Sequence, residues 1–112
     1  MAVKVETVDI LKKYFEGVTK RANHHAPNVN DVIYGLLGVI ILKKDDGTHI
    51  EVRGSDDDKT GNILWVTIGG IRYAFRYEHS DGTIEIRRDT YKGPLVLKID
   101  NSTTLQQVIN CF

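Results

Sequence analysis

An α+β domain is the fold class this sequence predicts, and three observations lead there. Apolar residues recur at helical spacing near the N-terminus and again at the C-terminus. Between these stretches the chain alternates apolar and polar residues with a period of two, interrupted at glycine-containing turns. Strands that follow one another, with helices only at the flanks, form an antiparallel sheet with the helices packed on it. At 112 residues the chain suits one core, so 1–112 reads as a single domain.

Val8, Leu11, Phe15 and Val18 make one stripe with Tyr14 alongside, while Asp9, Lys12, Lys13, Glu16 and Lys20 take other faces. This pattern predicts an amphipathic helix capped by Thr7, with Lys20 and Arg21 at the negative end of its dipole and Asn23 to Pro27 ending it. Val29, Val32, Ile33, Leu36 and Leu37 repeat the helical spacing, with Asn30 as cap and Gly38 as terminator. The β-branched residues of this stretch also suit a strand.

From Val39 onward the period is two. An Asp45-Asp46-Gly47 loop joins Val39 to Lys44 with Thr48 to Arg53, pairing Leu42 with Ile50 and Ile40 with Val52, and Gly47 supplies the positive φ of such a hairpin. Gly69-Gly70 then links Ile63 to Ile68 with Ile71 to Tyr77, which sets Ile68 opposite Ile71, Val66 opposite Tyr73 and Leu64 opposite Phe75. A four-residue loop from His79 to Gly82 places Phe75 opposite Ile86, Tyr77 opposite Ile84 and Arg76 opposite Glu85. The two-residue alternative would oppose Arg76 to Arg87 and Glu78 to Glu85, which like-charge repulsion disfavours. Leu95 to Ile99 completes a sheet of about six strands after Gly93-Pro94. Thr103 with Gln106 fits a capping box for a closing helix whose stripe of Leu105, Val108, Ile109 and Phe112 should be buried.

Fifteen basic residues balance fifteen acidic ones, which removes the global attraction that supports nonspecific binding to nucleic acid or anionic lipid. Cys111 is the single cysteine, so no intrachain disulfide can form and a cytoplasmic setting is expected. Met1 to Val5 lacks the features of a secretory signal, and Leu36 to Leu42 is too short an apolar run to cross a bilayer, so no membrane association is expected.

The hairpin registers put Trp65 across from Ala74 on the face away from the core, with Arg72 and Arg76 diagonal to it. An aromatic ring between two guanidinium groups could stack a planar aromatic ligand while the arginines hold an anion, or it could serve a subunit contact, where Trp and Arg are enriched. The same outer face should carry His49, Glu51 and Arg53 with Val39 and Ile41. His49 and Glu51 form no catalytic pair, since no orienting group or nucleophile accompanies them. His24-His25 lacks partners at metal-ligand spacing. Asp56-Asp57-Asp58-Lys59-Thr60-Gly61 echoes half of a calcium loop, but Thr67 stands where the closing acid belongs, and a solvated acidic loop accounts for it. Cys111, inside an apolar stripe with no cation beside it in sequence, reads as a small buried hydrophobe. No catalytic residue, metal ligand or cofactor is expected.

The segment Leu64-Trp65-Val66-Thr67-Ile68-Gly69-Gly70-Ile71-Arg72-Tyr73-Ala74-Phe75-Arg76-Tyr77, with the chain's size and hairpin-rich organisation, resembles the orphan proteins encoded in bacterial integron gene cassettes. The resemblance implies a bacterial, cytoplasmic protein borne on a mobile element, a homo-oligomer with a cleft, and it transfers no site residues.

The expected function is a noncatalytic binding or interaction domain acting as a homodimer. Its contact candidates are Trp65, Arg72, Arg76, His49, Glu51 and Arg53, and its motive is the outward-facing group Val39, Ile41, Ile63 and Trp65. Two alternatives stay open. One is a small-ligand or nucleotide-binding protein, or an enzyme with an unfamiliar site, taking an aromatic or anionic ligand in an enclosed pocket. The other is a nucleic-acid binder, which zero net charge disfavours and steep salt dependence would reveal.

Overall fold

The computed structural model describes residues 3–5, 11–13, 15–17, 19–20, 28–53, 63–78 and 80–112. They form strand β1 (Val3–Val5), helical residues 11–13, 15–17 and 19–20 (α1), helix α2 (Val32–Lys43), strands β2 (Ile50–Arg53), β3 (Ile63–Ile68), β4 (Ile71–Glu78), β5 (Thr83–Arg88) and β6 (Leu95–Ile99), and helix α3 (Leu105–Asn110). The fold is α+β. Five longer strands run antiparallel in chain order, and the three-residue β1 adds an edge beside β2. Thr7, Arg21, Asn23 to Pro27 and His24-His25 fall outside the described residues, as do Asp56 to Gly61 and His79.

Strand alternation divides the apolar residues between two clusters. Leu64, Val66, Ile68, Tyr73, Phe75, Ile84, Ile86 and Ile99 face the helices and pack with Ile33, Leu36, Val39 and Ile40 of α2 and Val108 of α3. Leu11 and Phe15 of α1 pack against the same core. Ile63, Trp65 and Ala74 turn to the opposite face.

Both glycine-anchored registers are as the turns dictate. Ile68 pairs with Ile71, Val66 with Tyr73 and Leu64 with Phe75, while Phe75 pairs with Ile86, Tyr77 with Ile84 and Arg76 with Glu85. Gly69 and Gly70 both adopt positive φ, 60° and 78°, as a two-residue hairpin that follows sheet twist requires.

The expected first hairpin does not form. Val39 to Lys43 continues α2 through Gly38, and β2 pairs with β1 and β3 instead, so the edge assigned to Val39–Lys44 is occupied by Val3–Val5. Nine of the twelve α2 residues, VIYGLLGVIILK, are large and apolar or aromatic, so the stretch satisfies a period of two as readily as one of 3.6. Packing decides. As a helix, Ile33, Leu36, Val39 and Ile40 share one face and are all buried over the sheet, which outweighs their β-branched preference. Gly47 still takes a positive φ of 78°, now in the connection from α2 to β2.

That connection is tied to the β3–β4 turn by Asp45. Its backbone N–H donates to the Thr67 carbonyl at 2.9 Å. Its carboxylate accepts from the Gly69 and Gly70 amides, each at 2.7 Å, and these two bonds hold its pKa below the usual carboxylate value. Hydrogen bonds from Ser80 do the same for Glu78, from Lys98 and Thr83 for Asp81, and from Ser102 for Asp100. A depressed folded-state pKa stabilises above the unfolded value and is lost as pH falls through the folded one, so stability should drop on acidification below about pH 4. Asp45→Asn should lower the melting temperature at neutral pH and flatten this acid limb. A parallel profile of melting temperature against pH would count against the clamp.

The first turn of α2 is capped from a distant part of the chain. Asp31 provides no side-chain cap; the Asn101 Oδ1 accepts from the Asp31 and Val32 amides at 3.0 and 2.9 Å, and its Nδ2 donates to Asn30 Oδ1 at 2.9 Å. The cap of α3 lies one residue later than expected, because Thr104 and Gln107 form the capping box. Thr103 and Gln106 match the same motif, but the Thr103 hydroxyl instead accepts from the Asp100 amide at 3.0 Å. The stripe is buried in part. Val108 is fully buried, Ile109 and Phe112 pack against the core, and Leu105 is 55 % exposed beside α2.

Candidate functional site

Two surfaces stand out, one on each side of the sheet. On the open side, backbone registers align Glu51, Trp65, Ala74, Arg87 and Leu95 in one row across β2 to β6. The next row holds Arg53, Ile63, Arg76, Glu85 and Lys98. Ala74 leaves room above the sheet, and Tyr91 from the β5–β6 loop packs onto the cluster of Ile63, Trp65 and Ala74. Trp65 is thereby 9 % exposed.

The arginines divide their contacts rather than sandwiching Trp65. The Arg72 guanidinium lies 5.1 Å from the centroid of the Trp65 ring and 3.5 Å from Glu51, whereas Arg76 sits 5.7 Å from the Tyr91 ring. Glu85, 4 % exposed, anchors the charged half of the face. Its carboxylate accepts two hydrogen bonds from Arg87, at 3.1 Å each, with Arg76 at 3.7 Å and Lys98 at 3.8 Å. The Glu85 hydrogen bond raises the Arg87 pKa, and that from Lys98 to Asp81, at 2.6 Å, raises the Lys98 pKa. Arg72, Arg76, Arg87 and Lys98 therefore each have an acid to answer them. Among the described residues, two buried donors have no partner: Trp65 Nε1 and Arg76 Nε.

Among the expected contact residues the fold thus brings together Trp65, Arg72, Arg76 and Glu51. Arg53, half-buried, lies across from Ile63, and His49 is exposed in the connection ahead of β2. Of the outward-facing apolar group, Val39 is in the main core and Ile63 and Trp65 are in the second cluster; Ile41 alone is exposed. Burial raises the Cys111 thiol pKa, consistent with a packing role. Among the described residues no cluster of His, Cys, Asp or Glu is arranged to hold a metal ion, and no helix is long and apolar enough to cross a membrane.

The second surface lies on the helical side, where sequence reasoning did not look for it. Tyr34, Ile41 and Leu42 of α2 are 59, 51 and 86 % exposed, with exposed Gly38 between them. Leu105 of α3 flanks this stripe, its Cδ1 close to Gly35. On the other flank a groove of about 390 Å³ runs between α1 and α2, lined by apolar Leu11, Phe15, Leu37 and Ile41 with Tyr34, and by Lys12, Glu16 and Thr19. A signal was present in the sequence: a helix that is apolar all round is ordinarily covered all round, and α2 is covered on one side.

Residues 11–109 match the family model described as integron cassette protein VCH_CASS1 chain. The match spans most of the chain and includes the Leu64 to Tyr77 segment on which the resemblance was drawn. No curated protein matches this chain.

Proposed function

The chain belongs to the integron cassette protein family, and we propose that it is a noncatalytic interaction domain working as a homodimer through the outer face of α2. The uncovered apolar stripe of Tyr34, Ile41 and Leu42, extended by Leu105, carries this reading. Facing this stripe with its own copy would cover apolar side chains that soluble monomers seldom leave exposed as a group. A bacterial cytoplasmic setting fits the family and the unpaired Cys111.

Sedimentation at tens of micromolar tests the proposal. The wild type should run as a dimer, and Leu42→Glu as a monomer with an unchanged circular dichroism spectrum, since position 42 contributes little to the fold of one copy. A monomeric wild type would refute it.

Trp65 Nε1 and Arg76 Nε, without a partner among the described residues, favour a second reading, in which a planar aromatic anion replaces Tyr91 over Ala74. Trp65 is the single tryptophan, so titration with 2-naphthoate can be read from its fluorescence. Saturable quenching that Arg76→Ala removes would support a site there. Linear, unsaturable quenching would exclude one for this ligand class.

A further inference from the structure

Gly38 occupies the middle of a twelve-residue helix, where glycine weakens helix formation. Among the described residues nothing calls for it, because a Cβ built at Gly38 would meet none of their atoms within 4 Å. Gly35 differs, since its Cβ would press on Leu105 Cδ1 at 3.2 Å. A residue whose smallness no described neighbour uses, set between large exposed apolar side chains, marks where another backbone comes close.

We infer that two copies of this chain cross antiparallel at Gly38, each inserting Leu42 into the α1–α2 groove of the other; this rests on the homodimer reading above. The sequence is self-complementary about that point. Tyr34 and Leu42 lie four residues to either side of Gly38, about 6 Å along the helix axis, so a two-fold axis through Gly38 sets each Leu42 against the partner copy's Tyr34. Leu42 is 86 % exposed, and Tyr34 lines a groove of about 390 Å³, ample for an isobutyl side chain. The stripe carries no charge, so facing its own copy leaves no like-charge pair at the centre. Leu11, Phe15, Leu37 and Ile41 give an incoming leucine apolar contacts in the groove, which Lys12 and Glu16 also line with charges of opposite sign.

The experiment separates this geometry from dimerisation itself. In a Cys111→Ala background, Gly38→Cys should form an intermolecular disulfide under mild oxidation, since crossing at this residue brings the two Cα atoms within the roughly 4–7 Å span a disulfide needs. Gly38→Leu should weaken the dimer by about tenfold or more. Gly38→Ala should keep the fold with an equal or higher melting temperature in the dissociated chain, confirming that space within one copy is not the limit. A dimeric wild type that gives no Gly38→Cys cross-link, and whose Gly38→Leu variant remains equally dimeric, overturns the crossing and leaves the homodimer standing. A monomeric wild type overturns both.

Discussion

Removing residues 105–112 should leave no cooperatively folded protein. Val108 is fully buried, and Ile109, Cys111 and Phe112 pack against the main core. The Phe112 ring meets Tyr73 edge-on at 5.1 Å between centroids and lies 6.0 Å from Phe75, so the last residue of the chain sits on the middle strand β4. Burial of an apolar side chain contributes roughly 1.5–3 kcal/mol, against a total stability of about 5–15 kcal/mol for a domain. Losing one phenylalanine, one valine and one isoleucine from the same contact therefore removes a large share of the whole. The opened face of Tyr73 and Phe75 would also favour aggregation. Near-ultraviolet circular dichroism and a thermal melt check the outcome, and a truncated chain that melts at the wild-type temperature would sink it. Leu105→Ser gives the contrast. With its side chain more than half exposed, that variant should shift the monomer's stability little while weakening the dimer.

How much of this was legible in the sequence depended on whether a local rule had one answer. The registers of β3 with β4 and β4 with β5 were fixed by turn length and by the choice between Arg76 facing Glu85 or Arg87, and each choice also aligned the apolar residues. Ala74 opposite Trp65 followed from the same register, whereas Glu51 beside it depends on the β2–β3 pairing, which no turn announced. Val39 to Lys43 offered no such choice, because with no polar residue from Leu36 to Leu42 neither period is contradicted, and contacts with a distant sheet select the helix. Leu105 fits the helical stripe but lies at the first turn, where α2 runs past it at Gly35. β1 was missed for another reason. Three residues carry almost no periodic signal, and their partners, Ile50 to Val52, lie some forty-five residues away along the chain. The cover over Trp65 comes from a loop, and loop geometry at Tyr91 depends on backbone hydrogen bonds that no residue pattern announces.

Gly93→Ala should dislodge that cover, and it is the substitution with the largest expected effect outside the main core. The β5–β6 loop folds back on itself: Arg88 N–H donates to the Pro94 carbonyl at 3.1 Å, Thr90 N–H to the Arg88 carbonyl at 2.8 Å, and Gly93 N–H to the Thr90 carbonyl at 3.0 Å. Asp89 within it adopts a positive φ of 69°, which a non-glycine residue holds only when its surroundings enforce it. A Cβ on Gly93 would overlap the Arg88 carbonyl oxygen and crowd that of Thr90. Backbone cannot step aside as a flexible side chain can, so the loop must open. The Gly93 carbonyl would then lose the hydrogen bond it accepts from Arg87 Nη1 at 2.9 Å, and Tyr91 would leave Ile63, Trp65 and Ala74. A cost of about 2–4 kcal/mol is expected from backbone displacement combined with loss of apolar cover. Trp65 emission should shift to the red as water reaches the ring. Tyr91→Ala provides the control, because it removes the cover without straining the loop: it should reproduce the red shift with a smaller fall in melting temperature. Wild-type emission and melting temperature in Gly93→Ala would mean that the loop accommodates a methyl group without moving Tyr91, and that Trp65 is protected by something else.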